Sequence, residues 1–365
     1  MSGLYIHLPF CRQKCHYCDF ASFACKEDLI DVYLQALDRE ASFYPNQKFH
    51  TLYIGGGTPS LLSVKQLDIL REMIRRRFAP VESFAESTLE CNPESLTLEK
   101  LKFLKQVGFN RLSLGLQSLN DDILKYIGRV HDSRTFLTVY EQARSVGFDN
   151  ISIDLIAGLP HQSKADFLQG VQKVLALQPQ HLSIYGLQVE EGTPFYQKGV
   201  QTDEALLREE LEQVHFLLQE AGFVHYEISN FALRGFESRH NLSYWQNQEY
   251  LGLGAAAASY QKAERRSNTS DLGEYLRRMH FGLPAVEFSE KLTRKAKEGE
   301  QIMLGLRMLG GVKLTPQQKA LFALEIEEIV KSGLVRWEGD LLKLTFEGMF
   351  LANQAFMAFV GPFDA

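Results

Sequence analysis

Short apolar runs alternate with amphipathic stretches along the first two-thirds of the chain. Runs suited to strands lie at Leu4–Leu8, Thr51–Ile54, Ser87–Cys91, Arg111–Leu116, Ile151–Ile156 and His181–Leu187. Between them apolar residues recur at helical spacing over Leu29–Ser42, Val64–Arg77, Leu98–Val107, Ser133–Val146 and Lys164–Ala176. Strand and helix in repeated succession are the pattern of βαβ units around a parallel sheet. Six such units are too few for a closed eight-stranded barrel. The pattern therefore predicts an α/β fold with a partial, TIM-like (β/α)6 barrel, open on one side. Such barrels carry function in the loops after the C-terminal ends of their strands.

The pattern changes near Thr202. A charged helix over Thr202–Ala221 leads through Gly222 to Phe223–Ile228, a further strand beside the barrel. From about Pro284, helical periodicity over Glu298–Leu309 and Pro316–Ser332 precedes two short alternating runs, Leu334–Trp337 and Leu341–Thr345, around Gly339-Asp340. Helices followed by a hairpin predict a small α+β, winged-helix-like domain. The expected division is a barrel over residues 1–230, a linking segment over 231–283 and a C-terminal domain over 284–365.

Composition narrows the function classes. With 39 Lys and Arg against 45 Asp and Glu, the net charge is −6, which argues against a nucleic-acid partner. The same balance turns the winged-helix shape towards structure or partner docking. Arg75–Arg77 reads as the solvated end of a helix. No run of about 20 apolar residues predicts a membrane span or anchor, and no signal peptide is read at the N-terminus. Five cysteines, three of them in one motif, fit a reduced cytoplasmic protein better than a disulfide framework. Cys25 and Cys91 read as spectators.

The motif is Cys11-x3-Cys15-x2-Cys18. Three thiols in eight residues can surround one soft metal centre. A structural zinc closes with four ligands, usually as two separated pairs, and no second pair follows; His16, between two of the thiols, is badly placed as a fourth. Thiolates are the usual ligands of iron–sulfur clusters. Three of them on a four-iron cluster leave one iron open to an outside ligand.

With its flanks, Tyr5-Ile-His-Leu-Pro-Phe-Cys11 through Tyr17-Cys18, the motif resembles the opening of radical S-adenosylmethionine (SAM) proteins. More narrowly it is similar to the group that holds oxygen-independent coproporphyrinogen III oxidases and HemW-type haem chaperones. The resemblance implies a 4Fe-4S cluster on Cys11, Cys15 and Cys18 whose open iron takes SAM. It also implies SAM contacts from Tyr5, Tyr17, Gly56, Gly57, Thr58, Glu90, Gln117, Arg129 and Asp154, and a weaker match at Gln188. Several of these residues end predicted strands, where the fold puts function. Three glycines in Gly55–Ser60 exceed what a turn needs and let the backbone approach a ligand. Asp154 lies in an apolar run, where an unpaired buried charge costs several kcal/mol and calls for a partner.

His240, Asn241, Tyr244 and Trp245 form an H-N-x-x-Y-W cluster. Imidazole is a common haem ligand, and aromatic rings can cover a macrocycle. The cluster resembles a haem-associated signature of HemW-type chaperones, with His240 as the implied axial ligand. Two functions follow from the resemblance: haem chaperone, or oxidative decarboxylase of coproporphyrinogen III. The oxidases carry a fourth cysteine two residues after the third, where this chain has Phe20, and a longer extension before the motif. Both departures, with the H-N-x-x-Y-W cluster, favour the chaperone. Methylation of a heteroaromatic ring is a minor third reading. Implied partners are haem and acceptor haemoproteins, membrane respiratory enzymes among them, and the resemblance leaves room for a homodimer.

Overall fold

The computed structural model describes residues 2–361. Six parallel strands form its centre: β1 (Gly3–Leu8), β2 (Thr51–Gly56), β3 (Glu86–Cys91), β4 (Arg111–Gln117), β5 (Ile151–Ala157) and β6 (His181–Gly186). They pair in sequence order, each with the next. Helices α1 (Ile30–Ala41), α2 (Val64–Arg77), α3 (Leu98–Gln106), α4 (Ser133–Ser145) and α5 (Lys164–Ala176) return the chain between them. The expected helix bounds are met at both ends for α2 and α5. Their starts are set by side-chain caps: Ser63 and Ser163 each accept a backbone N–H in the first turn. The Arg75–Arg77 run ends α2 and pairs with Glu72 and Asp38.

The strands alternate. Leu4, Ile6, Leu52, Ile54, Leu89, Leu112, Leu114, Ile153 and Leu182 are buried in one apolar core with the inner faces of the helices. Side chains in between point the other way, as the two-residue period of a strand requires. That inner face is polar: Tyr53 bonds Glu90, Ser113 bonds Asp154, and Ser152 bonds His181. The barrel thus has an apolar jacket and a polar lumen.

After α6 (Glu204–Glu220), β7 (Val224–Glu227) and β8 (Asn230–Ala232) add an antiparallel edge beside β6. Residues 231–283, expected as a linking segment, prove to be part of the same sheet. They supply α7 (Arg239–Trp245), β9 (Tyr250–Leu253), β10 (Ala258–Gln261), β11 (Glu264–Asn268) and α8 (Leu272–His280). Strand β9 pairs parallel to β1, and β12 (Val286–Lys291) closes a twelve-stranded order β12-β11-β10-β9-β1-β2-β3-β4-β5-β6-β8-β7. The sequence pattern missed this because each strand is short and flanked by polar residues. Glu40 of α1 ties the segment down. Its carboxylate accepts from the Gly254 N–H, Asn268 and Tyr275 at 2.6–2.8 Å.

A second core begins in α9 (Arg294–Leu306), with Ile302, Leu306, Phe322, Ile326 and Leu342 buried together. Around it lie the helices Pro316–Leu321 and Ala323–Lys331 and a three-stranded sheet: β13 (Val312–Lys313), β14 (Val335–Glu338) and β15 (Leu341–Leu344). The helical run expected over Pro316–Ser332 is therefore two helices, parted at Phe322. No helix among the described residues is long and apolar enough to cross a membrane.

Candidate cofactor-binding site

The cysteine loop leaves the C-terminal end of β1. Two short parallel strands, Phe10–Cys11 and Phe23–Ala24, close its base. Cys11 is buried, and Cys15 and Cys18 are half-buried. Burial raises the Cys11 thiol and pushes Cys18 up to about 11, so thiolates here call for a cation to neutralise them. Among the described residues no three His, Cys, Asp or Glu side chains converge where a single ion would sit. Cys25 is exposed and donates weakly to the Arg12 carbonyl, and Cys91 is buried with its thiol on the Leu89 carbonyl. His16 turns away, its Nδ1 on the Tyr126 carbonyl at 2.7 Å.

The glycine loop after β2 lies against the cysteine loop. Gly57 and Thr58 donate their N–H groups to the Leu8 and Phe10 carbonyls. A Cβ at Gly57 would stand 2.7 Å from the Phe10 carbonyl oxygen and 3.0 Å from Cys11 Sγ, so only glycine lets the two loops meet. Gly56 has φ +114, which favours glycine in its own right. The Gly56 N–H donates to Glu90 at 3.0 Å, and Tyr53 donates to the same carboxylate at 2.7 Å. Burial pushes Glu90 up to about 7 despite these donors. Tyr5 bonds His7 at 2.9 Å and packs its ring near Tyr53. Burial holds the Tyr17 phenol neutral, beside Cys15 and Arg129.

Asp154 has the partners its setting demands. Ser113 and Ser152 donate to it at 3.2 and 3.3 Å, and burial still raises its pKa. Arg111, 2% exposed in the lumen, favours the charged forms of both Asp154 and Glu90. Gln117 ends β4 with φ +64, and its buried Oε1 has no partner. Arg129 is half-buried. Its Nη1 donates to Cys15 Sγ at 3.5 Å, and its Nη2 to Asn92 Oδ1 at 2.8 Å and the Gly115 carbonyl at 3.1 Å, while Nε is unpartnered. Gln188 is exposed on the loop after β6.

Cluster and SAM fit these residues. Buried thiols need a cation, a glycine floor admits close approach, and Gln117 Oε1 and Arg129 Nε are polar atoms awaiting a ligand. Sequence reasoning missed Asn92, Arg111 and the serines. Their only signal was polar alternation inside strands that otherwise look apolar.

The structure does not bring the H-N-x-x-Y-W residues to this rim. Helix α7 lies at the opposite end of the barrel. Its N-terminus sits on Glu86, the first residue of β3, whose carboxylate accepts the Arg239 and His240 N–H groups at 2.9 and 3.0 Å. His240 Nδ1 bonds Thr51, the first residue of β2, at 2.8 Å. From Thr51 to Gly56 the strand rises roughly 17 Å. The His240 ring is 1% exposed and stacks on Tyr53, and its Nε2 bonds the Tyr244 hydroxyl at 2.8 Å. Burial, and then Arg111, lower its pKa to about 3. Both nitrogens are engaged, so ligation of iron by His240 requires one bond to open. Asn241 holds its N–H on the Ser238 cap. Trp245 packs under Arg307, with its indole N–H buried and unpartnered.

Known proteins resemble this chain over nearly its full length. The radical SAM superfamily model fits residues 5–174. The chain is 39% identical to the heme chaperone HemW of Bacillus subtilis, over 99% of this chain and 100% of that protein. With HemW of Lactococcus lactis it shares 36% over 98% and 97%. Coproporphyrinogen III oxidase (HemN) from Escherichia coli superposes with a TM-score of 0.87 at 24% identity, covering 98% of this chain and 89% of that one, and so shares the fold. The chain belongs to the radical SAM superfamily and, within it, to the family of the HemW heme chaperones.

Proposed function

We propose that this chain is a haem chaperone that binds haem, passes it to acceptor haemoproteins and holds a SAM-ligated 4Fe-4S cluster at the opposite end of its barrel. Cys11, Cys15 and Cys18 hold the cluster. When bound, cluster and SAM together supply low-potential one-electron chemistry at the sulfonium. The glycine loop, Gln117 and Arg129 orient the cofactor, and Glu90 fixes the loop through Gly56. Tyr17 and Gln188 complete that rim, and Tyr5 and Asp154 face the lumen beneath it. Haem is assigned to the α7 end, where His240, Asn241, Tyr244 and Trp245 stand.

The observation that carries the reading is this separation. Decarboxylation of a porphyrinogen needs the macrocycle against SAM, whereas a helix seated on Thr51 and Glu86, the first residues of β2 and β3, serves storage or transfer. Phe20, 65% exposed where the similar oxidases have a fourth cysteine, supports the same choice. Reduced thiols suit a cytoplasmic location, and membrane respiratory haemoproteins are the proposed acceptors. A homodimer is compatible with this role.

The test is anaerobic. The cluster is reconstituted, haemin is added, and the Soret band is followed in wild type, His240→Ala and Cys15→Ala. A stoichiometric spectrum that weakens in His240→Ala at full iron content, and survives at least in part in Cys15→Ala, is expected. Iron loss on His240→Ala would end the separation of roles. Failure of specific haem binding, with carbon dioxide released from coproporphyrinogen III by the same sample with SAM and reductant, would make the protein the oxidase.

A further inference from the structure

Asn92 follows β3 directly and touches both loops that reach the thiols. Its Nδ2 donates to Thr58 Oγ1 at 2.9 Å, and its Oδ1 accepts from Arg129 Nη2 at 2.8 Å. Because Arg129 only donates, the amide has one allowed orientation. The backbone of Asn92 is fixed as well: its N–H donates to Ser60 Oγ at 2.9 Å, and Ser60 bonds Ser95 at 2.6 Å. At the far ends, the Thr58 hydroxyl donates to Cys11 Sγ at 3.5 Å, and Arg129 Nη1 to Cys15 Sγ at 3.5 Å. One side chain therefore joins the donors of two cluster cysteines.

The order of the bonds has a chemical consequence. A threonine hydroxyl has one proton. Since Asn92 donates to its oxygen, that proton is left to point at Cys11. Hydrogen bonds to ligating sulfur draw charge off it and favour the reduced, more negative cluster. An aspartate at 92 keeps the shape but accepts where the amide donated, so the Thr58 proton turns to the carboxylate and leaves Cys11.

We propose that Asn92 is a positioning residue that, through Thr58 and Arg129, raises the reduction potential of the cluster. The inference rests on the cluster reading above. The experiment is a reductive titration of the anaerobically reconstituted full-length protein, followed by EPR. Wild type must first show a reduced four-iron signal; its absence strikes the cluster reading and not the role of Asn92. Asn92→Asp is expected to shift the midpoint to more negative values, and Thr58→Val to shift it the same way by less. The double variant should match Asn92→Asp alone, because the Thr58 proton has already been diverted.

An unmoved midpoint in Asn92→Asp, or a double variant showing the full sum, overturns the proposal, the latter because added negative charge alone would behave so. If Asn92→Asp fails to hold iron, Thr58→Val decides: a negative shift supports the proposal and an unchanged midpoint overturns it. Failure of both to hold four irons makes the chain an assembly requirement and overturns the tuning role.

Discussion

The Arg307 guanidinium lies over the Trp245 indole, 4.2 Å from its centroid, and joins the last residue of the H-N-x-x-Y-W helix to the C-terminal domain. The same guanidinium reaches Glu227 of β7 at 3.8 Å, and burial raises the pKa of that carboxyl. The haem-associated motif is thus the joint on which the second domain sits. Further contacts run along the flank: Arg208 of α6 donates to Glu347 at 2.7 Å and packs over Phe350.

Arg307→Met should loosen this joint. It removes the cation from the indole face and leaves Glu227 without its cation, a loss of about 1–3 kcal/mol. Denaturant unfolding measures it. Limited proteolysis should cut near the domain junction faster than in wild type. Glu227→Gln in the same chain should recover part of the loss, since the stranded charge is then gone; no recovery would mean that the pair is not coupled.

Tyr244→Phe should tighten haem binding. The Tyr244 hydroxyl occupies His240 Nε2, and that bond must open before the imidazole can ligate iron. A neutral hydrogen bond is worth about 1 kcal/mol net, so its removal predicts several-fold stronger binding in a haem titration. Weaker binding would show that the ligand is another residue.

Glu86→Ala should unfix α7. The carboxylate accepts two N–H groups of the helix start and the Ser238 hydroxyl, and hydrogen bonds to a charged acceptor are worth about 1.5–3 kcal/mol each. We expect a stability loss of about 2–4 kcal/mol and faster amide exchange confined to residues 238–245. Cluster assembly at the other end should be unaffected, as iron content will show.

Glu40→Gln tests a buried acid away from both sites. Burial raises Glu40 from 4.5 to about 7, against the donors Gly254, Tyr275 and Asn268. Between those two values the native state keeps a proton that the unfolded chain has lost, so stability falls as pH rises through the window. At about 1.4 kcal/mol per pKa unit the upper bound is about 3 kcal/mol. Gln cannot accept all three donors, so the variant is less stable at pH 5, and its deficit should shrink by pH 8. A deficit independent of pH would mean that Glu40 is ionised throughout.

Much of this protein is determined by local sequence. The strand–helix alternation sets six βα units, because each stretch buries its apolar face only in one periodicity. Cys11, Cys15 and Cys18 announce a cluster because their spacing is short enough for one loop to carry all three. Tertiary structure alone decided the rest. Residues 231–283 belong to the main sheet because short, half-polar strands are stable only beside β1. Asp154, Glu90 and Arg111 share a lumen because strands far apart in sequence lie in register. Asn92 bridges Thr58 and Arg129, 34 and 37 residues away along the chain. His240 looked like an open ligand in sequence, but its loop folded as a helix against Glu86 and Thr51 and engaged both ring nitrogens. Hydrogen bonds between distant residues depend on packing, which no local pattern encodes.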